Sequence, residues 1–368
     1  MVELRDLIVV GAGPAGSHLA QEASEQGLDV LMLERSEEIG RPLACSGHVS
    51  PDIWGFVDSR ESLLQNSIRE ARFHVEGSSY RFYQEEPVSY VIDRVGFDKR
   101  KAEMAQESGA ELLMGEEVVS VDERNGYVEV SVASGETYSS KVLAGCDGAS
   151  SKVRSEAGLE EPSRFYQGLL CFVDVQDSSD NVDVHLNVPE FFGWRIPRGE
   201  NVEYGVAVPP GESPSEWLEK VLDRHGLERS ETFNMCAGGI PVDPPDSVTT
   251  DRIFLVGDAA AQTKPFTGGG ILYGMRCAEA ASRYIDPENP DPAGYEKEWR
   301  DELGREIGLG KLIERFYLLP GFLQKPVLRL FSGSIGVHMD RPSSLFSRAQ
   351  LRAMTSSGIK KIRSRFRS

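Results

Sequence analysis

The stretch that most constrains the fold is LRDLIVVGAGPAGSHLA, residues 4–20. Leu7, Ile8, Val9 and Val10 form a short apolar run, the pattern of a strand buried on both faces. Gly11, Gly13 and Gly16 then spell G-x-G-x-x-G. The first glycine permits a tight turn, the second lets backbone approach a pyrophosphate, and the third lets the next helix pack closely on the strand. The spacing predicts a helix over about 14–26, with its positive N-terminal end aimed at that pyrophosphate. A second strand, LDVLMLE, ends in Glu34, placed to accept hydrogen bonds from a ribose hydroxyl. A lone glycine triad is weak evidence. Strand, triad, helix, strand and terminal acid in this order predict a dinucleotide site, with NAD and FAD both open.

Length and charge narrow the class. A chain of 368 residues holds two lobes or one large α/β domain. Its net charge of −18 argues against broad nucleic-acid binding. The five cysteines, at 45, 146, 171, 236 and 277, form no CxxC pair. That argues against a disulfide framework, a structural zinc site or a cysteine-ligated cluster; no metal is expected, and a reducing cytoplasm fits. No apolar run approaches the roughly 20 residues that span a bilayer, and the first apolar run is the nucleotide-binding strand rather than a signal peptide. A cytoplasmic protein, peripheral at the inner face of the membrane, is the expectation. Beyond Asp340 there is no Asp or Glu, and SSGIKKIRSRFRS sets Ile359, Ile362 and Phe366 among cations. Such a basic amphipathic segment suits an anionic membrane surface, and equally a solvated tail.

Between these landmarks the chain alternates. Residues 68–92 read as antiparallel strands, DRVGFDKRKAEMAQESGA as a helix, and 111–148 as three or four strands with a hairpin at Asn125-Gly126, the last of them, at roughly 140–147, joining the nucleotide-domain strands. Residues 166–209 read as more β structure, and 214–226 as a helix. The apolar run Ile253–Val256 ends in Gly257-Asp258, and Gly268–Gly270 open a helix reaching about Ile285. The expected fold is α/β: a Rossmann-like FAD-binding domain with an interleaved antiparallel β-sheet substrate domain and C-terminal helices. The expected boundaries are 1–165 with 250–290 for the discontinuous nucleotide domain, including a β insertion at about 67–97. Residues 166–249 form the substrate layer and 291–368 a helical region with the basic tail. NAD-dependent dehydrogenases usually complete their sheet without such β excursions, so the interleaving favours a flavoprotein.

Two further stretches carry a resemblance. GCDGASSKVR, from Gly145 to Arg154, and FLVGDAAAQTKPFTGGG resemble the Asp-Gly and Gly-Asp motifs of the glutathione-reductase/hydroxybenzoate-hydroxylase flavoprotein superfamily. The resemblance implies FAD, with Asp258 on the ribityl chain and Gly268, Gly269, Gly270 and Ile271 at the flavin's pyrimidine end. A helix N-terminus there would stabilise the negative charge that reduced flavin carries near N1 and the C2 carbonyl. By the same resemblance the remaining cofactor contacts are Gly11, Gly13, Ala15, Gly16, Glu34, Arg35, Cys45, Asp147, Gly148 and Pro265. Arg94, in VIDRVGFD, joins them at a helix start that matches the superfamily's.

Over about residues 1–330 the chain is similar to the geranylgeranyl reductase family, through RPLACSGHVS, FFGWRIPRGENVEYGVAV and GDAAAQTKPFTGGGILYGM. The middle stretch resembles the family's Y-x-W-x-F-P, with Phe192, Trp194, Ile196 and Pro197 at the matching positions. That implies a prenyl-chain wall including Phe192, Trp194 and Pro197, while a lone Trp in a strand also reads as plain core. Cys45 matches a cysteine that members place near the flavin in C-G-E-like sequences; here Cys45-Ser46-Gly47-His48 displaces the Gly and lacks the Glu. Cys45 and His48 are the candidate catalytic residues, or ordinary loop residues. A thiol is normally protonated at neutral pH, and an imidazole is the better-matched acid by its usual pKa.

The reaction so implied hydrogenates isolated C=C bonds of geranylgeranyl chains in archaeal membrane lipid precursors, by hydride from reduced flavin N5 followed by protonation. The partners implied are a prenylated lipid and an electron donor, NAD(P)H or a ferredoxin-like protein, since no second dinucleotide fingerprint is present. The alternative is an FAD-dependent aromatic monooxygenase or halogenase-like enzyme using NAD(P)H and oxygen. GWRIP resembles half of the halogenase G-W-x-W-x-I-P, but Phe191 and Phe192 stand where its first Gly and Trp would be. A non-catalytic flavin carrier is a third reading, disfavoured by the extent of the β layer.

Overall fold

A computed structural model describes residues 4–43, 45–333 and 338–346. The segment carrying Ile359, Ile362 and Phe366 lies outside them. Leu4–Val10 sits at the centre of a seven-stranded sheet, parallel to Val30–Glu34 on one side and Thr137–Gly145 on the other. Glu111–Met114 adds a further parallel strand beyond Val30–Glu34. Thr137–Gly145 changes partner along its length. Its first half pairs antiparallel with Tyr127–Val132, which pairs in turn with Val118–Arg124, while Leu143–Gly145 pair parallel with Ile253–Leu255. Leu7, Ile8, Val9, Val142, Leu143 and Ala144 are fully buried, as a central parallel strand requires. Helices Pro14–Glu25, Arg94–Glu107 and Ile271–Ser282 pack on one another beside this sheet. The Rossmann-like arrangement expected from the apolar runs is present.

The glycine turn shows why side chains are excluded from it. Gly11 holds φ +98°, and a Cβ there would meet the Cys146 carbonyl oxygen at 2.5 Å. A Cβ on Gly16 would sit 2.0 Å from the Gly11 carbonyl oxygen. Gly16→Ala therefore forces the helix off the strand. It is expected to cost about 1–3 kcal/mol, seen as a lower midpoint in chemical denaturation.

The second sheet also has seven strands, ordered Thr232–Val242, Arg164–Val173, Val202–Val208, Gly193–Pro197, Asn181–His185, Glu70–Val75 and Ser78–Tyr83. The last two come from the segment expected as an insertion in the nucleotide domain. They extend the other sheet instead, Glu70–Val75 running parallel to Asn181–His185. Local alternation reveals a strand but not the sheet it joins. Helix Pro214–Arg224 covers one face of this sheet with Leu218, Val221 and Leu222. A small sheet of His48–Val49, Leu64–Ile68 and Ser89–Ile92 completes the β structure. Helices Pro292–Glu314 and Gly321–Phe331 follow. Among the described residues no helix is long and apolar enough to cross a membrane.

Candidate active site

One cavity of about 580 Å³ joins the two sheets. At one end it is lined by Gly13, Pro14 and Ala15, then by Gly148, Asp258 and Gly268–Ile271. Both helices that begin here are uncapped by side chains: Gly13 precedes Pro14–Glu25 and Gly270 precedes Ile271–Ser282. Their first N–H groups are left for an anionic or electron-rich ligand. A Cβ on Gly13 would meet nothing within 4 Å, so the backbone faces open space. Glu34 accepts from the backbone N–H groups of Ala12 (2.8 Å) and Ser36 (2.9 Å), which ties the glycine loop to the end of the second strand.

Asp258 decides whether this end fits FAD. Its carboxylate lines the cavity and has no hydrogen-bond donor among the described residues. A Cβ on Gly270 would lie 2.3 Å from its Oδ1, so the glycine keeps that oxygen clear. Burial, only partly offset by Arg94, raises its carboxyl to about 6. A partnerless, half-buried carboxylate between two uncapped helix starts is the acceptor that ribityl hydroxyls need. An unfolded Asp titrates near 3.9. Between about pH 4 and 6 the native protein thus holds the proton more firmly, and flavin-free protein gains stability as pH falls through 6. Asp258→Ala is expected to weaken FAD binding roughly 10- to 100-fold, the worth of a charged hydrogen bond. The same change should leave the flavin-free protein no less stable at pH 7. Flavin titration and thermal melts separate the two effects.

At the junction with the second sheet the cavity is lined by Cys45, Ser46, His48, Ser89, Arg94 and Lys264. Three buried ion pairs brace this region. Arg94 grips Asp98 bidentately (2.8 and 2.7 Å), with its guanidinium also beside Cys45. Arg198 pairs with Glu203 (3.0 Å) and donates to the Ser46 carbonyl. Lys264 pairs with Asp340 (2.5 Å), and its Nζ lies 3.0 Å from where a Gly269 Cβ would stand. His48 contacts Ser89 Oγ at 2.7 Å. Burial first, then Lys264 and Arg198, push its pKa down to about 4. The expectation that His48 is an acid matched to neutral pH is corrected: desolvation and two cations keep the ring neutral.

The far end is apolar. Ile68, Phe73, Val182, Phe192, Trp194 and Ile196 line it, with Ile313, Phe316 and Tyr317 from the C-terminal helical region. Phe192 stacks on Phe191 (centroids 4.5 Å apart) and meets Tyr317 edge-on at 5.7 Å. Trp194 lies across Gly205 of the next strand, where a Cβ would be 2.2 Å from the indole. Its Nε1 donates to Glu203 (2.8 Å), so the Trp is wall rather than plain core.

Several expected contacts stand elsewhere. Asp147 does not line the cavity; it accepts from Ser151 Oγ and the Lys152 and Val153 N–H groups, bracing helix Lys152–Glu156 and leaving Gly148 at the wall. Arg35 is exposed beyond its strand. Pro265 is buried against Gly310, and Pro197 offers its carbonyl to Asn66 (2.9 Å), so neither lines the wall. The sequence reading missed Lys264, Arg198, Glu203 and Asp340. Glu203 carried a signal, as the lone acid in the apolar strand VEYGVAV, and so did Lys264, the only charge between Asp258 and Gly270. Nothing local marks Asp340.

Comparison with known proteins agrees with this geometry. Residues 6–151 match the FAD dependent oxidoreductase family. Digeranylgeranylglycerophospholipid reductase 1 of Methanococcoides burtonii is 33% identical over 87% of this chain and 85% of its own length. The chain belongs to the digeranylgeranylglycerophospholipid reductase family. Members of this family are FAD-dependent oxidoreductases, and so is this chain. A crystal structure of a geranylgeranyl bacteriochlorophyll reductase-like protein from Thermoplasma acidophilum shares the fold, with TM-score 0.85 and 22% identity over 98% of this chain and 99% of that one. A flavin-dependent brominase covering 98% of this chain and 100% of its own fits less closely, at TM-score 0.71 and 19% identity. The halogenase-like alternative thus shares architecture without family membership.

Proposed function

We propose that this protein reduces the isolated C=C bonds of geranylgeranyl chains carried on archaeal membrane lipid precursors. One observation carries the reading: a single cavity begins at the glycine loop and Asp258 and ends between Trp194, Phe192 and Tyr317. When bound, FAD supplies the reducing equivalents as hydride. Gly13 and the uncapped N–H groups of Ala15 and Gly16 would hold its pyrophosphate, Glu34 a ribose, and Asp258 the ribityl hydroxyls. Gly268–Ile271 would face its pyrimidine end, with the Lys264–Asp340 pair beside Gly269. The aromatic wall orients an extended apolar chain and excludes water from the junction. Cys45 Sγ–H delivers the proton. The lipid is met at a membrane surface, and electrons come from NAD(P)H or a ferredoxin-like protein.

The direct test is anaerobic. Dithionite-reduced holoprotein is mixed with a detergent-solubilised geranylgeranyl lipid, and the lipid is weighed by mass spectrometry. Gains of two hydrogens per bond, with flavin reoxidation, are expected. Lipid of unchanged mass beside flavin that stays reduced would overturn the reading.

A further inference from the structure

Helix Gly321–Phe331 is built inside out. Its buried side chains are Gln324 and Leu328, whereas Phe322, Leu323, Val327 and Leu330 are between 38% and 68% exposed. Gln324 is directed inward, its Nε2 donating to the carbonyls of Phe316 (3.1 Å) and Tyr317 (3.3 Å). Leu312, Leu318 and Leu319, at the end of the preceding helix and in the turn after it, are exposed as well. Thus seven of the thirteen exposed large hydrophobic residues among those described fall between 312 and 330. Single exposed apolar residues are ordinary, but such a concentration marks a surface that meets something.

The charge pattern says what. From Arg315 to Met339 the chain carries Arg315, Lys325 and Arg329 and no Asp or Glu, in a protein of net charge −18. Lys325 reaches Glu76 (2.9 Å), which seats the helix on the 70–83 hairpin with its apolar face outward. The same turn also belongs to the cavity. Ile313, Phe316 and Tyr317 line it, while Leu312, Leu318 and Leu319 face away. Tyr83, at the end of the strand beneath the helix, lines the cavity and is 46% exposed.

We propose that this face, from Leu312 to Leu330, docks on an anionic bilayer and holds the apolar end of the cavity against the membrane. The inference rests on the lipid-reductase reading and adds the surface through which the lipid arrives. An apolar stripe flanked by the exposed Arg315 and Arg329, with Lys325 paired to Glu76, suits a helix lying at the headgroup boundary. A second copy of this chain is the poorer occupant, because a self-complementary contact would set Arg315, Lys325 and Arg329 against their own counterparts, whereas an anionic headgroup layer attracts them.

The test uses holoprotein with its tail intact, vesicles of phosphatidylcholine with and without phosphatidylglycerol, and the double variant Phe322→Glu/Leu330→Glu. Wild type is expected to sediment with the anionic vesicles and the variant to bind about tenfold or more weakly, as removing two apolar side chains from a membrane predicts. The variant should still reduce detergent-solubilised geranylgeranyl lipid at the wild-type rate, but slow when the lipid is presented in vesicles. Equal sedimentation of the two proteins would overturn the docking face. So would light scattering that shows a wild-type dimer, broken by the variant, with no vesicle binding. If neither protein reduces solubilised lipid, the reductase reading fails, and sedimentation still judges the surface.

Discussion

Cys45→Ala is expected to slow lipid reduction by roughly 10²- to 10⁴-fold, the usual worth of a positioned proton donor. Few groups within the junction can give that proton. Saturating a C=C bond needs a proton as well as a hydride, and the apolar wall keeps bulk water from supplying it. His48 lines the same space, but burial and the cations Lys264 and Arg198 push its pKa to about 4, so near pH 7 it has no imidazolium proton to give. Arg94 is gripped by Asp98 and Lys264 is locked to the buried Asp340 (2.5 Å), so both cations are committed to their carboxylates. The Cys45 thiol, half-buried and beside the Arg94 guanidinium, is left. FAD content and the rate of flavin reduction by dithionite should match wild type, which separates chemistry from folding. Cys45→Ser should recover part of the rate, since a hydroxyl can relay a proton though it is the weaker acid. A Cys45→Ala protein with full cofactor and full turnover would remove the thiol from the mechanism.

Glu203→Ala is expected to destabilise the protein by about 3–5 kcal/mol, because it strands a buried cation. Glu203 is fully buried and Arg198 is 5% exposed. Burial raises the Glu203 carboxyl, with Arg198 and the Trp194 N–H only partly opposing it. This one carboxylate receives both Trp194 Nε1 (2.8 Å) and Arg198 (3.0 Å), and Arg198 in turn donates to Ser46 and Ile92 carbonyls. The aromatic wall and the Cys45 loop thus hang on one side chain. Glu203→Gln keeps an acceptor for Trp194 and loses the charge, so it should fall between the two. Urea denaturation of the holoproteins measures the loss, and Trp fluorescence reports whether the indole moves. A denaturation curve for Glu203→Ala within about 1 kcal/mol of wild type would show that Arg198 finds compensation elsewhere.

Legibility followed the range of the interactions involved. Gly11 and Gly16 were readable because their reasons are a few residues away: a carbonyl at 2.0 Å and a left-handed turn. Leu4–Val10, Val30–Glu34, the end of Thr137–Gly145 and Ile253–Leu255 were readable because both faces are covered, which leaves continuous apolar runs, whereas Glu111–Met114 at the sheet edge is only partly buried and carries no such signal. The placement of Glu70–Tyr83 was not, since alternation looks the same whichever sheet a hairpin extends. Asp147 shows how a motif residue can also serve the local fold. Its motif is present, yet its carboxylate turns inward to three local donors.

The nucleotide fold, the cofactor class and the family are legible in the chain because they depend on short-range patterns: glycine spacing, apolar periodicity, and motifs in a set order. Which residues share the junction is set by the folded chain alone. Cys45, His48, Arg94, Arg198, Lys264 and Asp340 come from five separate segments, and the pKa of His48 exists only once two cations close on it and water is gone. The folded chain also sets which face of Gly321–Phe331 is outside, because Gln324 finds its partners in the preceding turn rather than in solvent. Desolvation and long-range electrostatics arise on assembly, and no local pattern of residues encodes them.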